Sequence, residues 1–278
     1  MKAFLAWFLR SVLRYRSDVV MVNLSRSFPE KSYEEIVAIH KRFYLHLASI
    51  FVETIWFGRL RGDKGRQRIK DSHIVEFTNP EEFNRLAGGA RQVMLLQAHT
   101  GNWELIGGIL NYSYGVPLDL TADAIAVTYL RLHNARMDRR MARWRTALVS
   151  DLNFDGYVEA GEVLRFALKN KGRKYTYVFI TDQYPYNYHD NFRVQFLGQE
   201  TATMTGAAAL AVKLDMAVGY LRFEENGDGS GYRMTVVPLS DHAAGENPLE
   251  LMQRYYRLLE EDIRKQPWNY LWTHKRWK

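Results

Sequence analysis

The chain contains no cysteine, and this absence removes several kinds of chemistry. It excludes a disulfide scaffold, a thiolate nucleophile, a cysteine-ligated zinc site and an iron–sulfur cluster. Long apolar runs are missing too, because no stretch reaches the roughly 18 residues that span a bilayer. The patterns G-x-S-x-G, G-x-x-x-x-G-K-[ST] and H-E-x-x-H do not occur. A nucleophile elbow, a Walker phosphate loop and a zincin helix are therefore not expected.

Length and charge set the next limits. The 278 residues are 47% hydrophobic and 25% charged, which is typical of a globular chain with a sizeable core. Lysine and arginine exceed the acidic residues by 38 to 31, a net charge of +7, and aromatic residues make up 14%. A basic, aromatic-rich chain suits nucleic acid, an anionic membrane surface or an acidic protein, or is simply a basic globular protein.

The first residues are the nearest approach to a membrane segment. Residues 2–13 read KAFLAWFLRSVL, interrupted by Arg10 and followed by Arg14 and Arg16. No small-residue cleavage site follows, so a signal peptide is not indicated. Such a helix could lie in the membrane interface with its arginines on lipid phosphates, or it could pack as a first core helix. We expect the first of these, a helical membrane-docking segment over residues 1–60.

Hydrophobic periodicity and turn residues predict the elements of the chain. Ser32 with Glu35 has capping-box spacing and should begin a helix that ends near Gly58. The basic, glycine-punctuated residues 59–68 are interpreted as a surface turn. Further helices are predicted at 2–13, 18–28, 80–86, from 102, 131–148, 158–169, 204–214 and 248–265. Strands are predicted at 74–77, 93–97, within 118–126, and at 175–180, 217–223 and 232–238.

Alternating strands and helices predict an α/β fold with a mixed, largely parallel sheet flanked by helices. The apolar runs VMLLQ (93–97) and YTYVFI (175–180) are typical of buried parallel strands. The last two strands are joined by the glycine-rich turn 227–231 and should form an antiparallel pair. We predict that residues 61–278 form this α/β domain.

The most informative stretch is VMLLQAHTGNWE, residues 93–104. His99 follows a buried strand, at the end where open α/β sheets bind ligands. Glu104 lies in the first turn of the next helix and could face back to the imidazole. A carboxylate-oriented histidine fits general-base catalysis on a substrate hydroxyl or amine. The alternative is a structural histidine at a strand end and a glutamate favoured by the helix N-terminus.

Several spaced blocks together resemble the lipid A biosynthesis acyltransferases of Gram-negative bacteria, a branch of the glycerolipid acyltransferases. HTGNWE resembles their H-x-x-x-x-[D/E] motif. The other blocks are NLSRSFPEKS (23–32), FVETIW (51–56), Tyr129 with Asn134 and Asp138, TDQ (181–183), FLGQETATMTGAAALA (196–211) and YLWTHKRWK (270–278).

The resemblance implies a metal-independent O-acyltransferase without a cofactor, at the cytoplasmic face of the bacterial inner membrane. It would be peripheral there or anchored by its N-terminal helix. A fatty-acyl thioester, usually on acyl carrier protein and otherwise on coenzyme A, would be the donor. A hydroxyl of a lipid A precursor would be the acceptor, with His99 as general base and Glu104 holding it. Membrane surface is an expected partner and nucleic acid is not.

Further residues are predicted to bind the substrates. Backbone N–H groups near Asn102, or an arginine of the basic helix, could stabilise the oxyanion. The arginines of that helix could bind acceptor phosphates or an acidic carrier, or could form a solvated basic face. Asp182 follows a buried strand and could bind the acceptor, order an arginine or histidine, or be a turn aspartate. The predicted substrate-binding set is Asn102, Arg131, Asn134, Arg143, Arg145 and Asp182.

Departures from the family pattern keep the acceptor open. Leu130 stands where an arginine is usual, and Ala135 stands where a proline is usual. An acceptor such as a glycerolipid or an aminolipid is therefore a second hypothesis. A non-catalytic basic membrane- or nucleic-acid-binding protein is a third, and a thioesterase that uses water is a fourth. The C-terminal WNYLWTHKRWK suits either a membrane anchor or a packed element, and we expect packing.

Overall fold

The computed structural model describes residues 1–185 and 192–277. The α-helices are α1 (Lys2–Trp7), α2 (Ser17–Ser27), α3 (Tyr33–Phe57), α4 (Gly62–Ser72), α5 (Pro80–Gly89), α6 (Ala135–Arg145), α7 (Val163–Lys169), α8 (Gly206–Lys213) and α9 (Pro248–Lys265). The strands are β1 (Val75–Phe77), β2 (Gln92–Gln97), β3 (Ile125–Tyr129), β4 (Tyr157–Glu159), β5 (Tyr175–Ile180), β6 (Arg193–Phe196), β7 (Gln199–Ala202), β8 (Ala217–Glu225) and β9 (Tyr232–Ser240). A π-helical segment, Phe8–Val12, continues α1. Short 3₁₀-helices are Trp103–Asn111, Ala122–Ala124, Ala160–Glu162 and Pro267–Asn269.

A seven-stranded sheet organises the chain in the order β1-β9-β8-β2-β5-β3-β4. Strands β8, β2, β5, β3 and β4 run parallel to one another, and β9 pairs antiparallel with β8. β1 pairs parallel with β9. The fold is thus α/β with a mixed, mostly parallel sheet flanked by helices, which confirms the predicted class. Strands β6 and β7 form a separate antiparallel pair.

Two apolar cores cover the two faces of the sheet. The first includes the inner sides of α2, α3, α8 and α9 and the C-terminal Trp272. The second lies against α4, α5 and the Trp103–Asn111 helix. Every residue of β2 is buried, as a parallel strand covered on both faces should be. The C-terminal segment packs as expected, with Tyr270 and Trp272 buried, while its last residue lies outside the described residues.

The N-terminal helices share the first core with the sheet. Ala6 and Leu9 are buried against it, whereas Phe4 and Trp7 remain 68% and 51% exposed. The first helix therefore has one side packed in the core and another side with exposed aromatic residues, so it has features of both alternatives considered from the sequence. Crossing a membrane needs a length and an apolar composition that none of the described helices combines.

Most predicted elements are present, with shifted boundaries. The Ser32 capping box is formed, and the helix it begins ends at Phe57. The antiparallel β8–β9 pair is confirmed. Residues 158–169 were expected to be one helix but begin with strand residues and a 3₁₀ turn before α7.

The surface turn predicted at residues 59–68 is wrong, because α4 occupies most of that stretch. Gly65 suggested a turn, but it allows close packing: a Cβ there would lie 2.9 Å from the carbonyl carbon of Leu60. Ile69 is fully buried on the same helix. A single apolar anchor was too weak a periodic signal to reveal this helix.

Candidate active site

Adjacent parallel strands bring His99 and Asp182 together. In the register of β2 and β5, the last residues of the two strands, Gln97 and Ile180, are paired. His99 follows β2 by two residues and Asp182 follows β5 by two residues, so both lie at the same edge of the sheet. The Nδ1 atom of His99 lies 2.8 Å from Oδ1 of Asp182. The same oxygen accepts a hydrogen bond of 3.1 Å from the backbone N–H of His99. Two bonds to one carboxylate oxygen therefore hold both the imidazole and the start of the turn.

Asp182 is almost completely buried, with 2% of its side chain exposed. Burial raises the pKa of this carboxyl, but the charge and hydrogen bond of His99 and the nearby Arg276 outweigh burial and leave the pKa below its usual value. The group is therefore ionised and can only accept. Nδ1 of His99 therefore donates in this pair. In the neutral imidazole, the form that can act as a base, the lone pair is then on Nε2.

Two further side chains surround the imidazole. The ring of Trp103 lies against it edge-on, with ring centroids 5.0 Å apart and an interplanar angle of 72°. On the opposite nitrogen, Nε2 lies 3.2 Å from the amide nitrogen of Gln183. His99 keeps 17% of its side chain exposed, so the ring is confined but accessible.

Glu104 forms a second charged pair in the site. Nε and Nη2 of Arg145 each donate to one of its carboxylate oxygens at 2.7 Å, a two-pronged arrangement that is strong for this pair of groups. The indole N–H of Trp103 donates to the same carboxylate at 3.1 Å, and Arg145 also donates to the Tyr157 hydroxyl at 3.1 Å. Burial disfavours the charged guanidinium, but its bonds to Glu104 raise the pKa of Arg145 above its ordinary value.

The expected contact between Glu104 and His99 is therefore replaced by two other contacts. Asp182 occupies the position on Nδ1 that Glu104 was expected to take, because β5 lies beside β2 and delivers it there. Glu104 instead faces the last residue of α6, where a guanidinium can satisfy both of its oxygens. One of the roles considered for Asp182, ordering a histidine, matches its position.

The turn between His99 and Trp103 is held from two sides. Gly101 has a φ of +57°, and a Cβ there would lie 2.8 Å from the Phe223 ring, so both conformation and space favour glycine. Its N–H donates to the side chain of Asn269 at 3.0 Å. Its carbonyl lies 3.1 Å from Nε2 of His46 on α3.

Glu53, also on α3, joins this turn to the N-terminus. One carboxylate oxygen accepts from the buried Asn102 amide at 3.0 Å and from the Tyr232 hydroxyl at 2.8 Å. The other oxygen accepts from the Lys2 ammonium at 2.7 Å. The first helix and the turn that carries His99 therefore share one carboxylate.

A cavity of about 970 Å³ opens beside His99, at the upper end of the range typical of ligand pockets. It lies at the carboxyl ends of β3 and β5, and its wall is mostly apolar. Both cores contribute to the wall, with Ile106, Ile109, Ile125 and Val127 on one side and Phe179 and Leu210 on the other. Such a cavity has the size and polarity for a long hydrocarbon chain.

The predicted site residues fall into three groups around this cavity. His99, Glu104, Arg131 and Arg145 line it. Asp182 lies behind His99. Asn102 is buried against Glu53, Asn134 caps α6 by accepting from two backbone N–H groups, and Arg143 is exposed on α6; these three lie outside the cavity wall.

Sequence reasoning missed several residues that the fold brings to the site. Gln183 was inside the recognised TDQ block but received no role, and Tyr157 lay in a region without a strand prediction. One signal was available for Gln183: it directly follows Asp182, which was predicted as a site residue and follows β5 by two residues, as His99 follows β2. For metal binding, residues 1–185 and 192–277 bring no three histidine, aspartate or glutamate side chains together in a suitable cluster.

The fold and the site define a class of protein, an α/β protein with a histidine–aspartate pair beside a large, mostly apolar cavity. Comparison with known proteins narrows this class. The chain belongs to the bacterial lipid A biosynthesis acyltransferase family, whose match covers residues 1–278. It is therefore an acyltransferase of lipid A biosynthesis.

Two curated relatives agree with this assignment. The chain is 24% identical, over 283 aligned residues, to the lipid A biosynthesis palmitoleoyltransferase of Escherichia coli (strain K12). The alignment covers 97% of this chain and 81% of the relative. The lipid A biosynthesis acyltransferase of Shigella flexneri is similar to the same extent, with 24% identity and the same coverage.

Proposed function

We propose that this acyltransferase moves a fatty acyl chain from a thioester to a hydroxyl of a lipid A precursor, with His99 as the general base. The donor would be an acyl carrier protein or coenzyme A thioester. The observation that carries the proposal is the placement of His99, with Nδ1 on a buried carboxylate and Nε2 directed to the side of a large apolar cavity. The absence of cysteine supports direct transfer without a thioester on the enzyme.

The proposed step begins with the acceptor hydroxyl at Nε2 of His99. The imidazole takes the hydroxyl proton while the oxygen attacks the thioester carbonyl carbon. Asp182 stabilises the imidazolium that forms. The tetrahedral intermediate collapses by breaking the carbon–sulfur bond, and the imidazolium returns the proton to the leaving sulfur. An ester and a free thiol are the products.

The Glu104–Arg145 pair is assigned to the developing oxyanion. Arg145 lines the cavity and uses three of its five N–H groups on Glu104 and Tyr157, so two remain for a carbonyl oxygen. Glu104 fixes the guanidinium plane and would act through Arg145. A fixed donor aimed at the oxyanion is among the largest single contributions to catalysis of acyl transfer.

Membrane association at the cytoplasmic face of the inner membrane is part of the proposal. The exposed aromatic residues of α1 and the exposed Arg14 would rest on an anionic lipid surface. Glu53 would then connect that surface to the turn at His99. A peripheral location also suits a lipid acceptor and a carrier-bound donor.

The first prediction tests the base itself. The purified enzyme is given acyl carrier protein or coenzyme A thioesters and a lipid A precursor, and ester formation is followed by mass spectrometry. His99→Ala should lower kcat by about 10²- to 10⁴-fold, the usual contribution of a general base. His242→Ala, which changes an exposed histidine that pairs with Asp215 outside the cavity wall, is the matched control. Wild-type turnover in the His99 variant would refute its role.

A cellular measurement tests the acceptor. A strain without this gene should accumulate lipid A lighter by one acyl chain. Loss of an acyl chain from a glycerolipid or an aminolipid, with lipid A unchanged, would move the assignment to that acceptor. Release of free fatty acid irrespective of acceptor would indicate a thioesterase.

A further inference from the structure

The Nε2 atom of His99 is the atom that must meet the acceptor hydroxyl, and in the structure Gln183 occupies it. The amide nitrogen of Gln183 lies 3.2 Å from Nε2. Gln183 follows Asp182 directly and lines the cavity, so it approaches the ring from the substrate side. The ring of Trp103 also lies against the imidazole, with ring centroids 5.0 Å apart.

The direction of this hydrogen bond follows from the other side of the ring. Oδ1 of Asp182 accepts from the backbone N–H of His99 and from Nδ1, so in the neutral imidazole, the form that acts as a base, the lone pair is on Nε2. The side-chain carbonyl oxygen of Gln183 has no proton to donate to that lone pair, whereas its amide N–H can donate to it. Gln183 is therefore a donor to the base, at the same position that a substrate hydroxyl would occupy as a donor.

One imidazole lone pair accepts one well-directed hydrogen bond, so Gln183 and the acceptor hydroxyl exclude each other at Nε2. Water would need the same place to attack the thioester. An acceptor lipid held by the cavity wall can displace the amide with the help of its own binding contacts, whereas a single water molecule has none. The amide therefore opposes water more than it opposes the acceptor.

We propose that Gln183 guards the catalytic base and sets the ratio of acyl transfer to thioester hydrolysis. This inference rests on the proposed function of His99. In hydrolysis, His99 would take a proton from water, the water oxygen would attack the thioester carbon, and the carbon–sulfur bond would break to give a fatty acid and a thiol. In transfer, the acceptor oxygen takes the place of water, and the displaced Gln183 amide can donate to that oxygen.

The second prediction follows from replacing the donor at nearly constant volume. Gln183→Leu should raise the rate of free fatty acid release without acceptor by about three- to tenfold, the equivalent of one lost hydrogen bond. The ratio of free acid to ester with acceptor present should rise by a similar factor. Both products are measured together from one labelled acyl thioester.

Two controls make the outcome decisive. Gln67→Leu removes an exposed glutamine side chain that bonds to Asp71 on the same helix, and it should leave the product ratio unchanged. The double variant His99→Ala/Gln183→Leu should release no extra acid, because the exposed base is gone. An unchanged ratio in Gln183→Leu, or an equal fall of both products, would overturn the guarding role. If the His99→Ala variant formed ester at the wild-type rate, the proposed role of His99 would itself be refuted.

Discussion

A buried carboxylate determines what His99 can do. Asp182 accepts from Nδ1 and from the backbone N–H of His99 through one oxygen, so its geometry and its charge act on the same ring. Its amide analogue could keep both bonds through the remaining carbonyl oxygen. Asparagine at this position therefore separates the contribution of the charge from that of the geometry.

The third prediction uses this separation. Asp182→Asn should lower kcat by about 10- to 100-fold, because the imidazolium formed during the reaction loses its neighbouring negative charge. KM for the acceptor should change little, since Asp182 lies behind the ring and not on the cavity wall. Steady-state kinetics give both values, and Asp71→Asn on the exposed side of α4 is the control. A raised KM with unchanged kcat would assign Asp182 to acceptor binding.

Helix α3 shows how an element built for packing also serves the site. Its 25 residues begin at a capping box, bury apolar side chains in the first core, and present His46 and Glu53 to the turn after β2. The same helix carries His40, which contacts Ser17 of α2 at 3.1 Å and lies against the Tyr44 ring. The α2–α3 contact thus contains a buried titratable group.

The fourth prediction concerns pH and this contact. Burial and the nearby Arg10 lower the pKa of His40 from 6.5 to about 4. Between these values the unfolded chain binds a proton that the folded chain does not, so stability falls as the pH falls from 6.5 towards 4. The melting temperature of the wild type should fall over this window, and His40→Gln should make the fall smaller.

His242→Gln is the control for His40, because that side chain is 59% exposed. It should leave the pH dependence of melting as in the wild type. A His40 variant that melts with the wild-type pH dependence would show that other groups govern acid sensitivity.

At the scale of the whole molecule, the N-terminal segment combines exposed aromatic residues with exposed arginines. The exposed aromatic residues Phe4 and Trp7 lie on the outer side of a helix whose inner side is packed. Arg16 donates to the carbonyl of Thr273, so this arginine ties the N-terminal segment to the C-terminal one. Arg14 is exposed nearby. This arrangement is a firmly attached apolar and basic surface, and the proposed membrane association rests on it.

The fifth prediction tests that surface. Phe4→Glu/Trp7→Glu should weaken binding to anionic phospholipid vesicles by at least about tenfold, because two aromatic side chains no longer enter the interface. Circular dichroism and melting should be unchanged, since both side chains are exposed. Vesicle co-sedimentation measures the effect. Tyr33→Glu changes a 71% exposed aromatic residue at the start of α3 and should bind like the wild type. Unchanged sedimentation of the double variant would exclude this surface.

Local patterns in the sequence were sufficient to predict the α/β class. Apolar strands and capped helices are recognised from residues that are close together in the sequence. The strands that end before His99 and Asp182, the capping box at Ser32 and the β8–β9 hairpin were all predicted in this way. Helix α4 was not, because its single buried apolar side chain, Ile69, gives a weak periodic signal, and the close approach of Gly65 to Leu148 exists only in the tertiary structure.

The partners within the site were decided by the tertiary structure alone. The sequence places Glu104 five residues from His99 and Asp182 far along the chain, so proximity in sequence favoured the wrong carboxylate. The parallel register of β2 and β5 set Asp182 on Nδ1 and Gln183 beside Nε2, while α6 brought Arg145 to Glu104. The sequence contains the charged residues, and local patterns predict where the strands end. Which carboxylate lies beside which histidine or arginine depends on the order of the strands, and that order is a property of the whole fold.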